Sequence, residues 1–372
     1  MSPVETVSCR QSEVQRIIPY LLRCGARREP SMSTSPMRCG VIGVGRMGRH
    51  HARIYAQMPD TELVGVVDAD ETRRNDITEE WGGQPLETVA QLIDLGVDAV
   101  TIATPTIHHR AAAEELIEAG VACLIEKPLA GTAADATAIA EAAARHDVPL
   151  QVGHVVRYDP VMQAIRALGD FRPRHLELHR ISPMTFRSVD VGVVLDMMIH
   201  DLDLLTMLIG AEPEDIQASA VAVLSDAEDV CNARLTYSPD SKGDRCVANV
   251  TASRLALKTE RKLRIICEDL YVSADFVSRT GTVVRQSANA SQLEDIRSRL
   301  RNGEDLSDVN YLDLVSFDEL VVEDSEPLRL QAEDFLDAVR TGRRPEIDAE
   351  AGSAAVRTAE RILEEAGIGA GV

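Results

Sequence analysis

A glycine-rich turn places the strongest constraint on what this chain can fold into. Gly43, Gly45 and Gly48 form the pattern G-x-G-x-x-G directly after a short apolar run, and an amphipathic helical pattern follows them. A second apolar run, residues 63–67, then ends on Asp68. Strand, glycines, helix, strand and acid in this order are typical of the first unit of a dinucleotide-binding fold.

Each residue of this pattern has a physical role if a dinucleotide binds here. Gly43 permits a tight turn, Gly45 lets the pyrophosphate approach the backbone, and Gly48 lets helix and strand pack closely. The helix N-terminus offers unpaired N–H groups to the phosphates. Asp68 lies about 20 residues past the last glycine, where a carboxylate accepts hydrogen bonds from both ribose hydroxyls.

The same acid favours NAD over NADP. Asp68 would repel a 2′-phosphate, and Ala69 after it supplies no guanidinium to hold one. Arg73 and Arg74 are close in the sequence and argue in the opposite direction. We predict NAD as the cofactor.

Strand and helix patterns alternate from Arg38 to Val152, which predicts an α/β fold with a doubly wound parallel sheet. Pro105 suits a first helical position and Gly120 the residue after a helix end. Thr132 with Asp135 is typical of a capping box. The predicted strands are 38–44, 62–68, 98–103, 121–125 and 148–152, and the predicted helices are 46–57, 71–80, 86–94, 105–119 and 132–146.

After Val152 the runs become alternating, which predicts a second α/β domain with a large, mostly antiparallel open sheet. Helices should cover one side, and the other side is an oligomer interface or open to water. The stretch 285–327 is polar and acidic, so we expect it to be irregular. The predicted strands are 174–182, 216–224, 230–237, 245–255, 262–268 and 270–277, and the predicted helices are 159–168, 193–209 and 291–301, with two more in 328–366.

These patterns divide the chain into three parts. Residues 1–36 lack periodicity and are expected to form a disordered extension, 37–152 the NAD-binding domain, and 153–372 a domain for substrate binding and oligomerisation. Met37 stands directly before the first strand, and a hypothesis is that translation begins there. An intact mass that includes all 372 residues would contradict it.

Composition excludes several classes of function. The net charge of −21 argues against nucleic acid, whose phosphates require a basic surface. The seven scattered cysteines lack a C-x-x-C pair, which favours reduced thiols in the cytoplasm over disulfides or a metal site. No apolar run approaches the about 20 residues that span a bilayer.

Two further stretches carry candidate chemistry. Glu126-Lys127-Pro128 closes a strand at the carboxyl edge of the sheet, where ligands bind, although a surface Glu–Lys pair is an alternative. Asp196 and His200 lie one helical turn apart in an otherwise apolar helix, where a carboxylate beside an imidazole is a suitable acid/base pair. The alternative there is a buried, satisfied network.

At this point the residues match a family. The chain resembles the glucose–fructose oxidoreductase / inositol dehydrogenase (Gfo/Idh/MocA) family from about residue 38 to residue 365. Six motifs in the same order carry the resemblance: the glycine fingerprint with His51, Ala103-Thr104-Pro105 with His109, Glu126-Lys127-Pro128, Arg157-Tyr158-Asp159-Pro160, the stretch from Asp196 to Asp203, and residues 335–345.

The resemblance implies an NAD(P)-dependent oxidation of a sugar or cyclitol hydroxyl, and dimers or tetramers formed through the second sheet. It implies that Lys127 touches substrate and nicotinamide ribose, that Asp196 orients substrate, and that His200 takes the hydroxyl proton, although members differ on whether the lysine or the histidine is the base. His154 stands where many members carry an aromatic residue. The implied cofactor-binding residues are Gly43, Gly45, Arg46, Met47, Gly48, Asp68, Thr104, Pro105, His109, Glu126 and Lys127, and the implied substrate-binding residues are Lys127, Arg157, Arg187, Asp196 and His200.

The substrate is expected to be a nucleotide sugar. Arg180 and Arg187 flank a short segment before the Asp196 helix, Arg157 lies near the domain junction, and guanidinium groups suit phosphates. The alternative is that these arginines pair with acids. The runs 180–196 and 251–261 also resemble the branch that includes UDP-N-acetylglucosamine 3-dehydrogenases, which implies oxidation of a 3-hydroxyl. A free polyol or sugar such as inositol is the alternative substrate, and a non-catalytic NAD sensor the alternative function.

Overall fold

Two sheets organise the chain in a computed structural model that describes residues 35–185 and 191–368. The first sheet is entirely parallel, and its strand order reverses between β1 and β4, which is where dinucleotides bind in doubly wound folds. Its strands are β1 (Met37–Ile42), β2 (Thr61–Val67), β3 (Gln84–Leu86), β4 (Ala99–Ile102), β5 (Ala122–Glu126) and β6 (Leu150–Gly153), in the order β3-β2-β1-β4-β5-β6.

The five helices that connect these strands confirm the predicted alternation. They are α1 (Gly48–Gln57), α2 (Glu71–Trp81), α3 (Val89–Asp94), α4 (His109–Glu118) and α5 (Ala133–His146). Gly120 has a φ of 75° just past α4, as predicted. Pro105 precedes a 3-10 turn, Thr106–His108, rather than starting α4 itself.

The predicted capping box of α5 is half correct. The Thr132 hydroxyl accepts a hydrogen bond from the Asp135 N–H at 3.1 Å. The Asp135 carboxylate instead accepts one from Arg110 at 2.7 Å, because α4 packs beside α5 and brings a guanidinium within reach.

The second sheet is antiparallel at each pairing except that between β7 and β10. Its order is β14-β13-β12-β11-β7-β10-β9-β8, and this confirms a large, mostly antiparallel second sheet. The strands are β7 (His175–Ile181), β8 (Asp215–Val221), β9 (Val230–Thr236), β10 (Val247–Ser253), β11 (Glu260–Ile266), β12 (Leu270–Asp275), β13 (Thr280–Gln286) and β14 (Val315–Glu319).

The sequence analysis did not predict three of the strands. β3 has only Leu86 buried, so it shows no apolar run. β13 and β14 pair as the edge hairpin of the second sheet, and β14 lies within the stretch 285–327, so the prediction of irregular structure there was wrong in part. β14 is mostly exposed, and an edge strand of polar composition carries little hydrophobic signal. The remaining helices are α6 (Pro160–Arg166), α7 (Ile199–Ile209), α8 (Ala290–Arg301), α9 (Pro327–Thr341) and α10 (Ala349–Glu365).

Helices cover one face of the second sheet. Leu178 of β7 and Val250 of β10 are buried on that face, in one hydrophobic cluster with Leu202 of α7 and Ile362 of α10. On the opposite face His179 and Thr251 stay partly exposed in the described part of the chain. Alternation along each strand therefore leaves one polar face open.

The last two helices return to the first sheet. Phe335 and Leu336 of α9 are fully buried in a cluster with Val41 of β1 and Tyr55 of α1. Gly352 of α10 packs so closely that a Cβ there would lie 2.5 Å from a methyl carbon of Val152. The N-terminal extension, apart from Ser35 and Pro36, lies outside the described residues. No helix among the described residues is long and apolar enough to cross a membrane.

Candidate active site

The glycine-rich turn lies at the carboxyl edge of the first sheet. Gly43 has a φ of +81°, and a Cβ there would lie 2.7 Å from the backbone nitrogen of Thr104. A Cβ at Gly48 would lie 1.8 Å from the Gly43 carbonyl oxygen, so the close packing of helix and strand requires this glycine. At Gly45 a Cβ would meet nothing within 4 Å in the described chain, so its lack of a side chain leaves open space, as a pyrophosphate requires.

Asp68 is held against this turn. One carboxylate oxygen accepts a hydrogen bond from the Val44 N–H at 2.8 Å, and the other accepts one from the Asp70 N–H at 2.9 Å. Arg74 is buried and donates to Glu87 at 2.9 Å, while Arg73 lies on the surface 3.3 Å from Asp70. Since both arginines have acidic partners, their proximity in sequence does not argue for NADP.

His109 joins the loops that follow β4 and β5. Its Nδ1 lies 3.1 Å from the Pro128 carbonyl oxygen, and its Nε2 lies 3.0 Å from the Thr104 carbonyl oxygen. Burial lowers the pKa of His109, and the hydrogen bonds to the two loops oppose this shift only in part. The Thr104 hydroxyl oxygen is enclosed and has no partner among the described residues. A buried polar atom of this kind at the crevice fits a bound dinucleotide.

Glu126 connects the glycine helix to the lysine loop. Its carboxylate lies 2.8 Å from Nε2 of His51 on α1 and also accepts a hydrogen bond from the Lys127 N–H at 3.3 Å. Burial alone would raise the pKa of Glu126, but the hydrogen bond from His51 and the charges of His51 and Lys127 lower it overall. The alternative of a surface Glu–Lys pair is therefore wrong for Glu126, which is buried.

Lys127 reaches from the first sheet to a residue that lies between β7 and β8 of the second sheet. Its Nζ donates to the Asp196 carbonyl oxygen at 2.6 Å and to a carboxylate oxygen of Asp196 at 3.1 Å. The Lys127 side chain is 20% exposed and that of Asp196 is 38% exposed, so both groups remain accessible to a substrate. The peptide bond between Lys127 and Pro128 is cis.

The Asp196 segment is not a regular α-helix. Residues Val194–Met198 form a π-helical turn, and α7 begins only at Ile199. The wider turn changes the angular offset between Asp196 and His200 from that of an uninterrupted α-helix. Sequence spacing predicted one regular helix through both residues and missed this turn, which is common at functional sites.

A buried network supports the start of this turn and was also missed. Glu228 accepts a hydrogen bond from the Val194 N–H at 3.0 Å. A Cβ at Gly192 would lie 1.9 Å from the Glu228 carboxylate, so a larger residue there would displace that carboxylate. Beside it, Asp229 accepts a hydrogen bond from Arg254 at 2.6 Å, and Arg254 donates to the Val191 carbonyl at 2.8 Å. In the sequence, only the adjacent acids Glu228 and Asp229 point to this network. No helical or strand periodicity surrounds them that would indicate their burial.

His200 and His154 face each other at the base of the site. Their ring centroids are 6.2 Å apart, and the ring planes meet at 81°. Burial, followed by the charges of Lys127 and Arg180, holds the pKa of His200 well below its ordinary value of 6.5. Burial also lowers the pKa of His154, which is fully enclosed directly after β6. Both imidazoles are therefore neutral at neutral pH.

The arginines that suggested a diphosphate have buried acidic partners instead. Arg157 forms a fork with Asp203 at 2.8 and 2.6 Å. Arg180 binds Asp201 in the same way, with a shortest distance of 2.6 Å. The alternative of pairing with acids therefore describes these two residues, although the acids are buried rather than on the surface. Arg187 lies outside the described residues.

The assembled site can remove a proton beside a dinucleotide. A lysine, a carboxylate and a neutral imidazole meet at the crevice that the glycine turn opens, which suits the deprotonation of an alcohol during hydride transfer. Among the described residues no group of three or more His, Cys, Asp or Glu side chains could hold a metal ion.

Comparison with known proteins finds matches over most of the chain. A family model described as an oxidoreductase family with an NAD-binding Rossmann fold (GFO_IDH_MocA) matches residues 37–154, and a GFO/IDH/MocA C-terminal domain matches residues 166–272. The chain is 40% identical to UDP-N-acetylglucosamine 3-dehydrogenase of Acidithiobacillus ferrooxidans, over 68% of this chain and 78% of that protein. It is 31% identical to inositol 2-dehydrogenase of Rhizobium meliloti, over 51% of this chain and 60% of that protein.

Solved structures show the same fold over nearly the whole chain. The structure of the Acidithiobacillus ferrooxidans enzyme superposes with a TM-score of 0.77 at 35% identity and covers 88% of this chain and 97% of its own. Levoglucosan dehydrogenase in complex with NADH and levoglucosan superposes with a TM-score of 0.74, covering 90% of this chain and 98% of its own. At 18% identity, this second likeness shows the fold alone.

Proposed function

The chain belongs to the Gfo/Idh/MocA family of NAD-binding oxidoreductases, and from this premise we propose that it oxidises the 3-hydroxyl of a UDP-N-acetylhexosamine. The meeting of Lys127, Asp196 and His200 beside the glycine turn carries the proposal of alcohol oxidation. The choice of substrate is supported by the similarity to UDP-N-acetylglucosamine 3-dehydrogenase.

His200 is the proposed base. Because burial and two neighbouring cations lower its pKa, the imidazole is neutral and has a lone pair to accept the hydroxyl proton. Lys127, which is bound to Asp196, is the proposed cation that stabilises the developing alkoxide. Under this proposal the histidine, and not the lysine, is the base.

Asp196 is the proposed orienting group. Its carboxylate lies on the Lys127 ammonium and keeps accessible surface, so it can accept a hydrogen bond from a sugar hydroxyl. Bound NAD supplies the hydride acceptor, and Gly43, Gly45, Gly48, Asp68 and Thr104 are the residues proposed to hold it. Hydride transfer requires the alcohol carbon to face that crevice, and Lys127 reaches it from the carboxyl end of β5.

A substrate assay tests the proposal. The protein is incubated with NAD and UDP-N-acetylglucosamine, and in parallel with myo-inositol and glucose, while NADH is followed by absorbance. A glutamate-dependent aminotransferase traps the ketone, because ketone formation from an alcohol by NAD can be uphill. Turnover of the UDP-sugar alone is the expected result, and turnover of free polyols with none of any UDP-sugar would contradict it.

A polyol dehydrogenase is the second candidate. The similarity to inositol 2-dehydrogenase favours it, and so does the commitment of Arg157 and Arg180 to buried carboxylates, because neither guanidinium is left for a diphosphate.

Arg187 remains the proposed phosphate ligand. Arg187→Ala, compared with the matched surface variant Arg166→Ala, should raise KM for the UDP-sugar about tenfold, as expected for the loss of one charge-assisted contact.

We also propose a homodimer or homotetramer formed through the open face of the second sheet. The partly exposed polar side chains of that face, such as His179 and Thr251, support an interface of polar character. Sedimentation velocity of the native protein and of Thr251→Arg tests it, since a buried added charge should shift the protein toward monomer.

The free thiols of the described cysteines support a cytoplasmic location.

A further inference from the structure

His154 is a buried imidazole without an evident role in the reaction. It is fully enclosed, and neither of its ring nitrogens has a hydrogen-bond partner among the described residues. Nδ1 of His200, whose ring lies at right angles to that of His154, is likewise enclosed and without a partner in the described part of the chain. Buried polar groups are usually paired, directly or through water, so three such nitrogens in one place need an explanation.

We infer that His154 positions His200 for proton abstraction, by accepting through one water molecule the hydrogen bond that Nδ1–H of His200 donates. The inference rests on the proposed function, because it takes His200 as the base. It assigns His154 as a positioning residue that acts through another side chain and does not itself touch the substrate.

The tautomer of His200 is the reason for this role. A neutral imidazole carries its proton on one nitrogen only, and the other nitrogen is the basic one. Nε2 of His200 is not among the enclosed atoms, so it is the nitrogen that can face the cleft. For Nε2 to accept the hydroxyl proton, Nδ1 must carry hydrogen and needs an acceptor.

The geometry suits one bridging water rather than direct contact. The ring centroids are 6.2 Å apart, and no direct hydrogen bond joins Nδ1 of His200 to either ring nitrogen of His154. A water between Nδ1 of His200 and one ring nitrogen of His154 would accept a hydrogen bond from the first and donate one to the second, each of about 2.8 Å, which gives it the two polar partners that a buried water needs.

The surroundings keep His154 available as an acceptor. Asp203 on α7 and Glu126 on β5 act on it as negative charges, while Arg157 and Lys127 act as positive charges. Arg157 is already committed to Asp203. Burial is the largest influence and favours the neutral ring, which keeps one lone pair free.

Histidine ring 15N spectra test the inference without any substrate. The protein is labelled at histidine and saturated with NADH, and His200 is assigned by the signals that disappear in His200→Gln. We expect wild-type His200 to be protonated at Nδ1, His154→Phe to shift it toward the Nε2-protonated form, and His154→Gln, which keeps an acceptor, to restore the original form. The exposed His146→Phe is the control and should change nothing.

Kinetics on the same variants supply a second readout. His154→Phe should lower kcat about 10- to 100-fold with little change in KM, since it disturbs the proton transfer and not the contacts with the sugar. His154→Gln should recover most of the loss.

An unchanged His200 tautomer in His154→Phe would overturn the inference, and so would equal effects of His154→Phe and His154→Gln, which indicate packing alone. If His154→Phe does not bind NADH, His154→Leu takes its place in the same comparison with His154→Gln. If the substrate proposal is wrong, no UDP-sugar turns over, yet the tautomer measurement still decides the role of His154.

Discussion

At the scale of single residues, the charged group and the proposed base of the site are two different side chains. Lys127 is tied to Asp196, and His200 is kept neutral by burial and by nearby cations. Local sequence properties placed Lys127 at a strand end and Asp196 one helical turn before His200, and the resemblance to the family assigned the three residues to one site. Neither predicted the partners of Arg157 and Arg180, because Asp203 and Asp201 reach them only through tertiary packing.

Replacing the proposed base or cation should remove turnover without removing the cofactor. His200→Asn and Lys127→Met should each lower kcat about 10²- to 10⁴-fold, the usual effect of losing one positioned group. NADH affinity, measured by fluorescence titration, should stay within a few-fold of wild type for His200→Asn. Turnover at the native rate by both variants would refute the assignment. Replacement of the exposed Arg110 of α4 by Met serves as the control.

The lowered pKa of His200 predicts the acidic side of the pH profile. Protonation removes the lone pair that accepts the hydroxyl proton, so kcat/KM should fall as the pH decreases through the pKa of His200. Because that pKa lies well below 6.5, activity should persist at pH 6.5 and be lost only under more acidic conditions. An acidic limb centred above pH 6.5 would be incompatible with His200 as the base in this environment.

At the scale of elements, hydrophobic periodicity was the basis for predicting the strands and helices. Strands with buried apolar runs and helices with an apolar face were located from the sequence, whereas β3 and β14, which bury few side chains, were missed. The π-helical turn at Val194–Met198 was missed for a different reason. Its geometry depends on the buried Glu228 beside Gly192, a contact between segments far apart in the chain.

Replacement of Gly45 and of Gly48 by alanine should have different effects, although both glycines belong to the same turn. Gly45→Ala has open space for its Cβ, so the midpoint of thermal unfolding should stay near wild type while NAD affinity falls, because the methyl group occupies the path of the pyrophosphate. Gly48→Ala places its Cβ against the Gly43 carbonyl and should lower both quantities, with a loss of stability of about 1–3 kcal/mol as for other overpacked sites. Calorimetry and NADH titration of both variants check this; equal unfolding midpoints would disprove it.

At the scale of the whole molecule, buried neutral histidines should make the fold sensitive to acid. Burial lowers the pKa of His109, His154 and His200 from 6.5, so the unfolded chain binds protons at a higher pH than the folded one. The free energy of unfolding should therefore decrease as the pH falls below about 6.5. The lowered pKa of Glu126 acts in the same direction, since its contribution is lost as the pH falls through its folded value.

Urea denaturation at several pH values between 8 and 5 measures this dependence. A free energy of unfolding that stays constant from pH 7 to pH 5 would contradict the prediction. His154→Phe removes one of the three histidines, so it should flatten the dependence, whereas replacement of the exposed His146 by Phe should leave the slope as it is.

The packing of α9 on the first sheet has a consequence for how the protein is made. Phe335 and Leu336 close the core around Val41 and Tyr55, although the ribosome adds them almost three hundred residues later. During synthesis the nucleotide-binding unit therefore emerges with an apolar surface that nothing yet covers. The unit is complete only after α9 has been synthesised, and until then a chaperone that shields nascent apolar surface would have a binding site on it.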